Sequence, residues 1–230
     1  YSLIMALNIN GTTGISGVDG SVSAPALTGT DSNTGITFPS ADTIKFSTGG
    51  VERISITNSG ISGTGISSGG LAMADQWRWT TEFTQTNTGN NLATTSDWER
   101  PDSNIGIGSN PLGTGMTQSS GVFSFPSTGY YWIFLHADAQ VANDSCELFA
   151  FIKATENNSS YSNVSEALDT IQNQCTPNYI TVTANYLARV TDTSNHKVHF
   201  RLQNSGVSVT WKGDSFINRI SATFLKLGDT

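Results

Sequence analysis

The chain reads as all-β: a β-sandwich or jelly roll preceded by a glycine-rich β region. Three observations support this. Only 13% of its residues are charged, while Gly, Ser, Thr and Asn are abundant, a composition that suits turns and strands better than helices. From Trp77 onward, short segments alternate apolar and polar residues with a period of two. Turn-forming clusters separate them, as in "SNPLGTG", "ENNSSYSN", "TDTSN" and "QNSG".

The material changes near Asp75. Residues 1–75 hold 13 of the 23 glycines, no tryptophan, and only Tyr1, Phe38 and Phe46 as aromatics. So little apolar surface does not outweigh the ordering entropy of such a segment, so order here calls for a core borrowed from other chains. The competing reading is a flexible tail. Against it stands a loose repeat, "TGISG", "TGITF", "SGISG" and "TGISS", whose isoleucines recur between small polar residues. "DTIKFSTGGVERISI" reads as a hairpin turning at Gly49–Gly50, with Ile44 and Phe46 facing Ile54 and Ile56. One two-stranded hairpin is marginal in water, which again requires partners. The residues expected to line a shared shaft are Ile44, Phe46, Ile54, Ile56, Ile61 and Ile66.

In the second region "YWIFLHADA" sets Tyr131, Ile133, Leu135 and Ala137 on one face and Trp132 and Phe134 on the other. "CELFAFIKAT" is apolar on both faces. "NYITVTANYLARV" aligns Ile180, Val182, Ala184, Tyr186, Ala188 and Val190, and "KVHFRLQ" alternates Val198, Phe200 and Leu202 with Lys197, His199 and Arg201. "GVSVTWKG" and "FINRISATFLKLG" close the series. "NVSEALDTIQNQ" is the one stretch that could form a short helix. Phe123, Phe125, Tyr131, Trp132, Ile133, Phe134, Leu135 and Phe224 are expected in the core or at a face shared between subunits.

A net charge of −7 argues against nucleic acid, whose phosphates it would repel, and supports no contact with an anionic membrane. No stretch approaches the roughly 18 apolar residues of a membrane span, so no membrane insertion is expected. Tyr1 is no initiator, so the start lies upstream or at Met5, and the opening lacks the basic flank of a secretory signal. Cys146 and Cys175 make no disulfide framework and are expected as free, mostly buried thiols, with a bond between the two as the alternative.

Catalytic and metal chemistry is sparse. His196 and His199, three apart on a strand, face opposite ways, and His136 is remote, so each is expected at the surface or an interface. "DWERPD" gathers Asp97, Glu99 and Asp102 around Trp98, either as a calcium or sugar-binding edge or as a solvated turn ended by Pro101. No phosphate loop, Gly-x-Ser-x-Gly or paired-acid motif is present. The expectation is a non-enzyme without cofactor or metal.

"GVFSFPSTGYYWIFL" resembles the central signature of the complement-component and tumour-necrosis-factor-like jelly-roll family. Phe123 stands six residues before Gly129, and Tyr131 falls on the family's tyrosine, while Ile133 and Leu135 replace two later aromatics. "FINRISATFLKLG" is similar to the family's final strand. Ile105, Pro111 and Met116 depart from the upstream half of the pattern. In the first region, "NGTTGISGVDGSVSAPALTGTDSNTGITF" and above all "GGVERISITNSG" resemble the opening segments of bacteriophage fibre and virion-appendage proteins. Both resemblances imply a homotrimer.

Together they imply a virion-attachment segment over residues 1–42, an intertwined β-hairpin shaft over 43–75, and a jelly-roll knob over 76–230. The expected function is that of a tail or capsid fibre on the particle surface. Its first segment would hold another virion protein, and its knob would bind a host cell-surface glycan or protein through loops at the far end. Trp98 and Tyr161 are the candidate receptor anchors. The alternatives are a purely structural decoration protein, a polysaccharide-degrading spike, and a secreted lectin of the complement-like kind. Three linked weak sites would raise avidity without one tight contact.

Overall fold

The computed structural model describes residues 8–10, 14–16, 19–64, 71–86, 89–92, 97–101, 110–141, 146–171, 178–206 and 208–230. The chain divides into two units, residues 1–70 and 71–230.

The first unit is built around a five-stranded antiparallel meander of Leu27–Thr28, Gly35–Ser40, Thr43–Thr48, Val51–Thr57 and Gly60–Gly63, each strand pairing with the next. Gly49 (φ 59°) and Gly50 (φ 72°) form the turn read from the sequence, since a two-residue hairpin with both central residues at positive φ matches the strand twist. Phe46 pairs with Ile54 and Ile44 with Ile56, also as expected, with a bulge between Phe46 and Ser47. Ile66 lies outside the described residues. The expected break at residue 42 does not hold: Asp42 (φ 56°) sits in the tight turn joining Gly35–Ser40 to Thr43–Thr48, so both halves of one hairpin lie across that boundary.

Eight principal strands form the second unit: β1 (Met73–Trp79), β2 (Val122–Ser124), β3 (Gly129–Val141), β4 (Cys146–Thr155), β5 (Ser162–Ile171), β6 (Asn178–Val190), β7 (Lys197–Ser205) and β8 (Ile220–Gly228). Met73–Asp75 therefore belong to this unit rather than to a preceding shaft. One sheet runs β6-β3-β8-β1, the other β2-β7-β4-β5. The first strand thus pairs with the eighth, the second with the seventh, the third with the sixth and the fourth with the fifth. That pairing is the jelly roll, two sheets wound from one folded ribbon. Shorter strands extend it: Trp98–Glu99 beside β1, and Phe83–Thr86 with Ser208–Trp211 beside the end of β3.

Alternation explains the core. Tyr131, Ile133, Leu135 and Ala137 of β3 are fully buried, as are Leu148, Ala150 and Ile152 of β4 and Phe200 and Leu202 of β7. Phe123 sits at the centre, 5.4 Å from Trp98, 5.6 Å from Trp77, 5.5 Å from Phe200 and 5.2 Å from Phe224, ring centre to ring centre. Burying each such ring contributes about 1.5–3 kcal/mol. Gly129 (φ 147°) is required by close approach: a Cβ there would lie 2.5 Å from the Gly228 carbonyl oxygen. The spacing from Phe123 through Gly129 to Tyr131 thus combines a central ring, a backbone crossing and a tyrosine whose hydroxyl donates to the Ser127 carbonyl at 2.9 Å.

Two expectations are corrected here. Ser162–Ile171 is a strand, not part of a helix, because β4 offers it a full antiparallel partner from Cys146 to Ala154; residues 172–174 lie outside the described residues. His199 is buried rather than at the surface. The backbone of Cys146 begins β4, whereas its side chain and all of Cys175 fall outside the described residues.

Candidate functional site

Burial in the first unit is inverted. Its buried side chains include Thr37, Ser47 and Ser55, all small and polar. The apolar residues share the opposite face in register: Ile36 beside Phe46, Phe46 beside Ile54, Ile44 beside Ile56, and Ile56 beside Ile61. Ile61 is 60% exposed, Leu27 and Ile44 are exposed, and Phe46, Ile54 and Ile56 are only half-buried. In the single chain this contiguous apolar sheet face is open to water.

The jelly roll carries a second such face, on the outside of the sheet whose inside is the core. Trp132 of β3 is flanked in register by Leu187 of β6 and Leu225 of β8, and Leu225 by Ala74 of β1. This makes one apolar row across four strands. Phe134 packs edge-on to Trp132 at 5.7 Å, Tyr130 is exposed, and Leu187 is 47% exposed. Further along β3 the same face becomes polar. Asp138 accepts a hydrogen bond from Thr181 at 2.5 Å and lies 3.2 Å from His136 and 3.8 Å from Arg219. Trp132 and Phe134 lie half-buried on the outer face of this sheet, and Phe123, Phe125, Tyr131, Ile133, Leu135 and Phe224 lie in the core.

The receptor candidates fare differently. Trp98 is corrected: it is 3% exposed, edge-on to Trp79 at 5.6 Å and to Phe123, with its indole N–H donating to the Leu92 carbonyl. It cannot anchor a ligand. Of the "DWERPD" carboxylates, that of Glu99 is engaged rather than open. Glu99 holds the buried Arg78 at 2.7 Å, and the Asp97 carbonyl accepts from the Thr80 N–H. Asp102 lies outside the described residues. Tyr161 is half-buried, edge-on to His199 at 4.5 Å, and its hydroxyl pKa is raised by burial. Its loop joins β4 to β5 at the end of the jelly roll where Met73 begins β1.

At the end of the jelly roll opposite Met73, the sequence reading missed Phe216 and Ile217, 69% and 56% exposed. The Asp214 carboxylate accepts from the N–H groups of both, at 2.6 and 3.0 Å, which fixes the turn and depresses that carboxyl's pKa. The signal available was "GDSF", an Asp two residues before the exposed aromatic, in the form that closes such turns.

A different polar cluster is structural. The fully buried Asp75 carboxylate accepts from Arg100 Nε and Nη2 at 2.9 Å each, from Trp77 Nε1 at 3.0 Å and from the Met116 N–H at 2.8 Å. The Arg100 guanidinium also lies 4.4 Å from the Trp77 ring centre. Among the described residues no group of three or more His, Cys, Asp or Glu could hold a metal ion, and none forms a helix able to cross a membrane.

The fold and these faces define an all-β jelly-roll protein. No protein-family model matches the chain, and no curated protein matches it. Solved structures similar to it include Eiger TNF from S. frugiperda, at 10% identity over 68% of this chain and 93% of that one, with a TM-score of 0.48. Murine APRIL at pH 8.5 aligns at 8% identity over 67% and 98%, with a TM-score of 0.44, and its pH 5.0 form at 8% over 67% and 99%, with 0.43.

Proposed function

We propose that this chain is a non-enzymatic virion fibre protein that works as a homotrimer, with its jelly-roll unit binding the host cell surface. The observation that carries the reading is the inverted burial of the first unit, in which isoleucines and Phe46 face outward while Thr37, Ser47 and Ser55 are enclosed. A soluble chain does not leave such a face wet, and copies of itself are the partners always present at matching concentration. The apolar row through Trp132 supports the same assembly in the second unit. Assignment to a phage particle rests on the likeness of "GGVERISITNSG" and its flanks to fibre segments. The residues ahead of the meander would then attach to another virion protein. Phe216 and Ile217, held on an ordered turn, supply the exposed anchor that Trp98 does not. Purified full-length protein should adsorb to host cells and block infection. Adsorption that fails while the particle still requires the protein would assign it to decoration instead.

A further inference from the structure

We infer that the first unit closes edge to edge with two further copies of itself into a three-sided β-prism, with Leu27 of one copy against Ile61 of the next. The inference rests on the homotrimer proposed above and deepens it by assigning which strands meet. Leu27–Thr28 and Gly60–Gly63 are the two edges of the meander, since each pairs with a single neighbour among the described residues. A row of unpaired backbone N–H and C=O groups is a template for another strand, so soluble proteins guard open edges with charged side chains, prolines or bulges. Neither of these edge strands carries a charge, a proline or a register shift. Lys45, Glu52 and Arg53 all lie on the inner strands.

The apolar face reaches both edges. One row runs from Leu27 through Ile36 and Phe46 to Ile54, and the next from Ile44 through Ile56 to Ile61. Leu27 is 43% exposed at one edge and Ile61 is 60% exposed at the other. A partner that covered only the middle of the sheet would leave both of them wet.

The width of the sheet sets the number of copies. Five strands about 4.8 Å apart make a sheet about 24 Å wide. An apolar side chain reaches about 5 Å from its sheet, half the roughly 10 Å at which stacked sheets pack. Two copies face to face at that spacing would cover the faces and leave every edge open. Four copies joined at their edges would each stand about 12 Å from the common axis, too far for such side chains to fill the middle. Three copies stand about 7 Å from it, close to the reach of an isoleucine or phenylalanine. The middle strand, Thr43–Thr48, then comes nearest the axis, and it carries Phe46, the largest side chain of the face. At each corner two sheets converge, which brings Leu27 beside Ile61 and one unguarded edge beside another.

Oxidative cross-linking of the full chain, in a background with Cys146→Ser and Cys175→Ser, tests the corner contact. Leu27→Cys combined with Ile61→Cys should give a covalent species of three times the 24.4 kDa chain on a non-reducing gel. Each single variant should stay at 24.4 kDa, because a closed ring sets Leu27 against Ile61 and never against a second Leu27. In the unsubstituted chain, the Gly60–Gly63 amides that point away from Val51–Thr57 should exchange with solvent at least tenfold more slowly than those of an open edge. A cross-linked product that stops at two chains, cross-linking by either single variant, exchange at the open-edge rate, or no cross-linking in protein that sediments as a trimer would each overturn the prism. A parent chain that sediments as a monomer would overturn the homotrimer reading with it.

Discussion

Replacing Asp75 with Asn should cost the second unit about 3 kcal/mol. The carboxylate is wholly buried and receives four hydrogen bonds, two from one guanidinium. Asn keeps the shape but removes the charge, and turns an amide NH₂ toward groups that are themselves donors. Removing one partner of a buried ion pair costs roughly 3–5 kcal/mol, and Arg100, about a third exposed, places this case at the lower end because water can reach the stranded guanidinium. For a unit of this size each kcal/mol moves the thermal midpoint by about 2–4 °C, so a fall of roughly 6–12 °C is expected by circular dichroism or scanning calorimetry. Glu52→Gln is the control, since its pair with Lys45 at 2.6 Å leaves both side chains about a third exposed, neither being wholly buried as Asp75 is, and should contribute under about 1 kcal/mol. A midpoint for Asp75→Asn within 2 °C of the parent would refute the assignment of this pair as a principal tie between β1 and residues 100–116.

Four further outcomes are expected. Ile56→Asp, or Ile54→Asp, should make the first unit sensitive to protease while the second stays resistant, because the charge falls on the face read as shared between chains. Trp132→Glu should shift the protein toward smaller species in size-exclusion chromatography, with core fluorescence from the buried tryptophans retained. Gly129→Ala should cost stability measurable in urea, since its Cβ meets the Gly228 carbonyl and the φ of 147° disfavours a side chain. His199 has its pKa lowered to about 4, first by burial and then by the Lys153 charge, with its hydrogen bond to the Phe200 carbonyl opposing. The unfolded chain binds the extra proton, so stability is full above about pH 6.5, falls as pH drops toward 4, and levels below. The loss has a ceiling of about 3 kcal/mol, and His199→Phe should remove this part of the pH profile.

Local pattern carried much of the fold. The Gly49–Gly50 hairpin and its register followed from turn chemistry and period-two isoleucines, and the β3, β6 and β7 core positions followed from alternation. The failures share a cause, which is tertiary context. Val164, Ala167, Leu168 and Ile171 have helical spacing, yet the open edge of β4 claims the segment as β5. Trp98 sits among charges in the sequence, but pairing with Trp79 in register drops its ring into the core. His199 belongs to the polar set of an alternating strand, and Tyr161 packs edge-on against its ring. Phe216 and Ile217 looked like the start of the final strand, which begins instead at Ile220 once Asp214 closes the turn.

Sedimentation equilibrium of the full chain at micromolar concentration bears most directly on the central claim that the exposed apolar faces are covered by two further copies. A single species of three times the 24.4 kDa chain is the predicted result. A stable 24.4 kDa species whose first unit resists protease would contradict it, for that face would then be at rest in water.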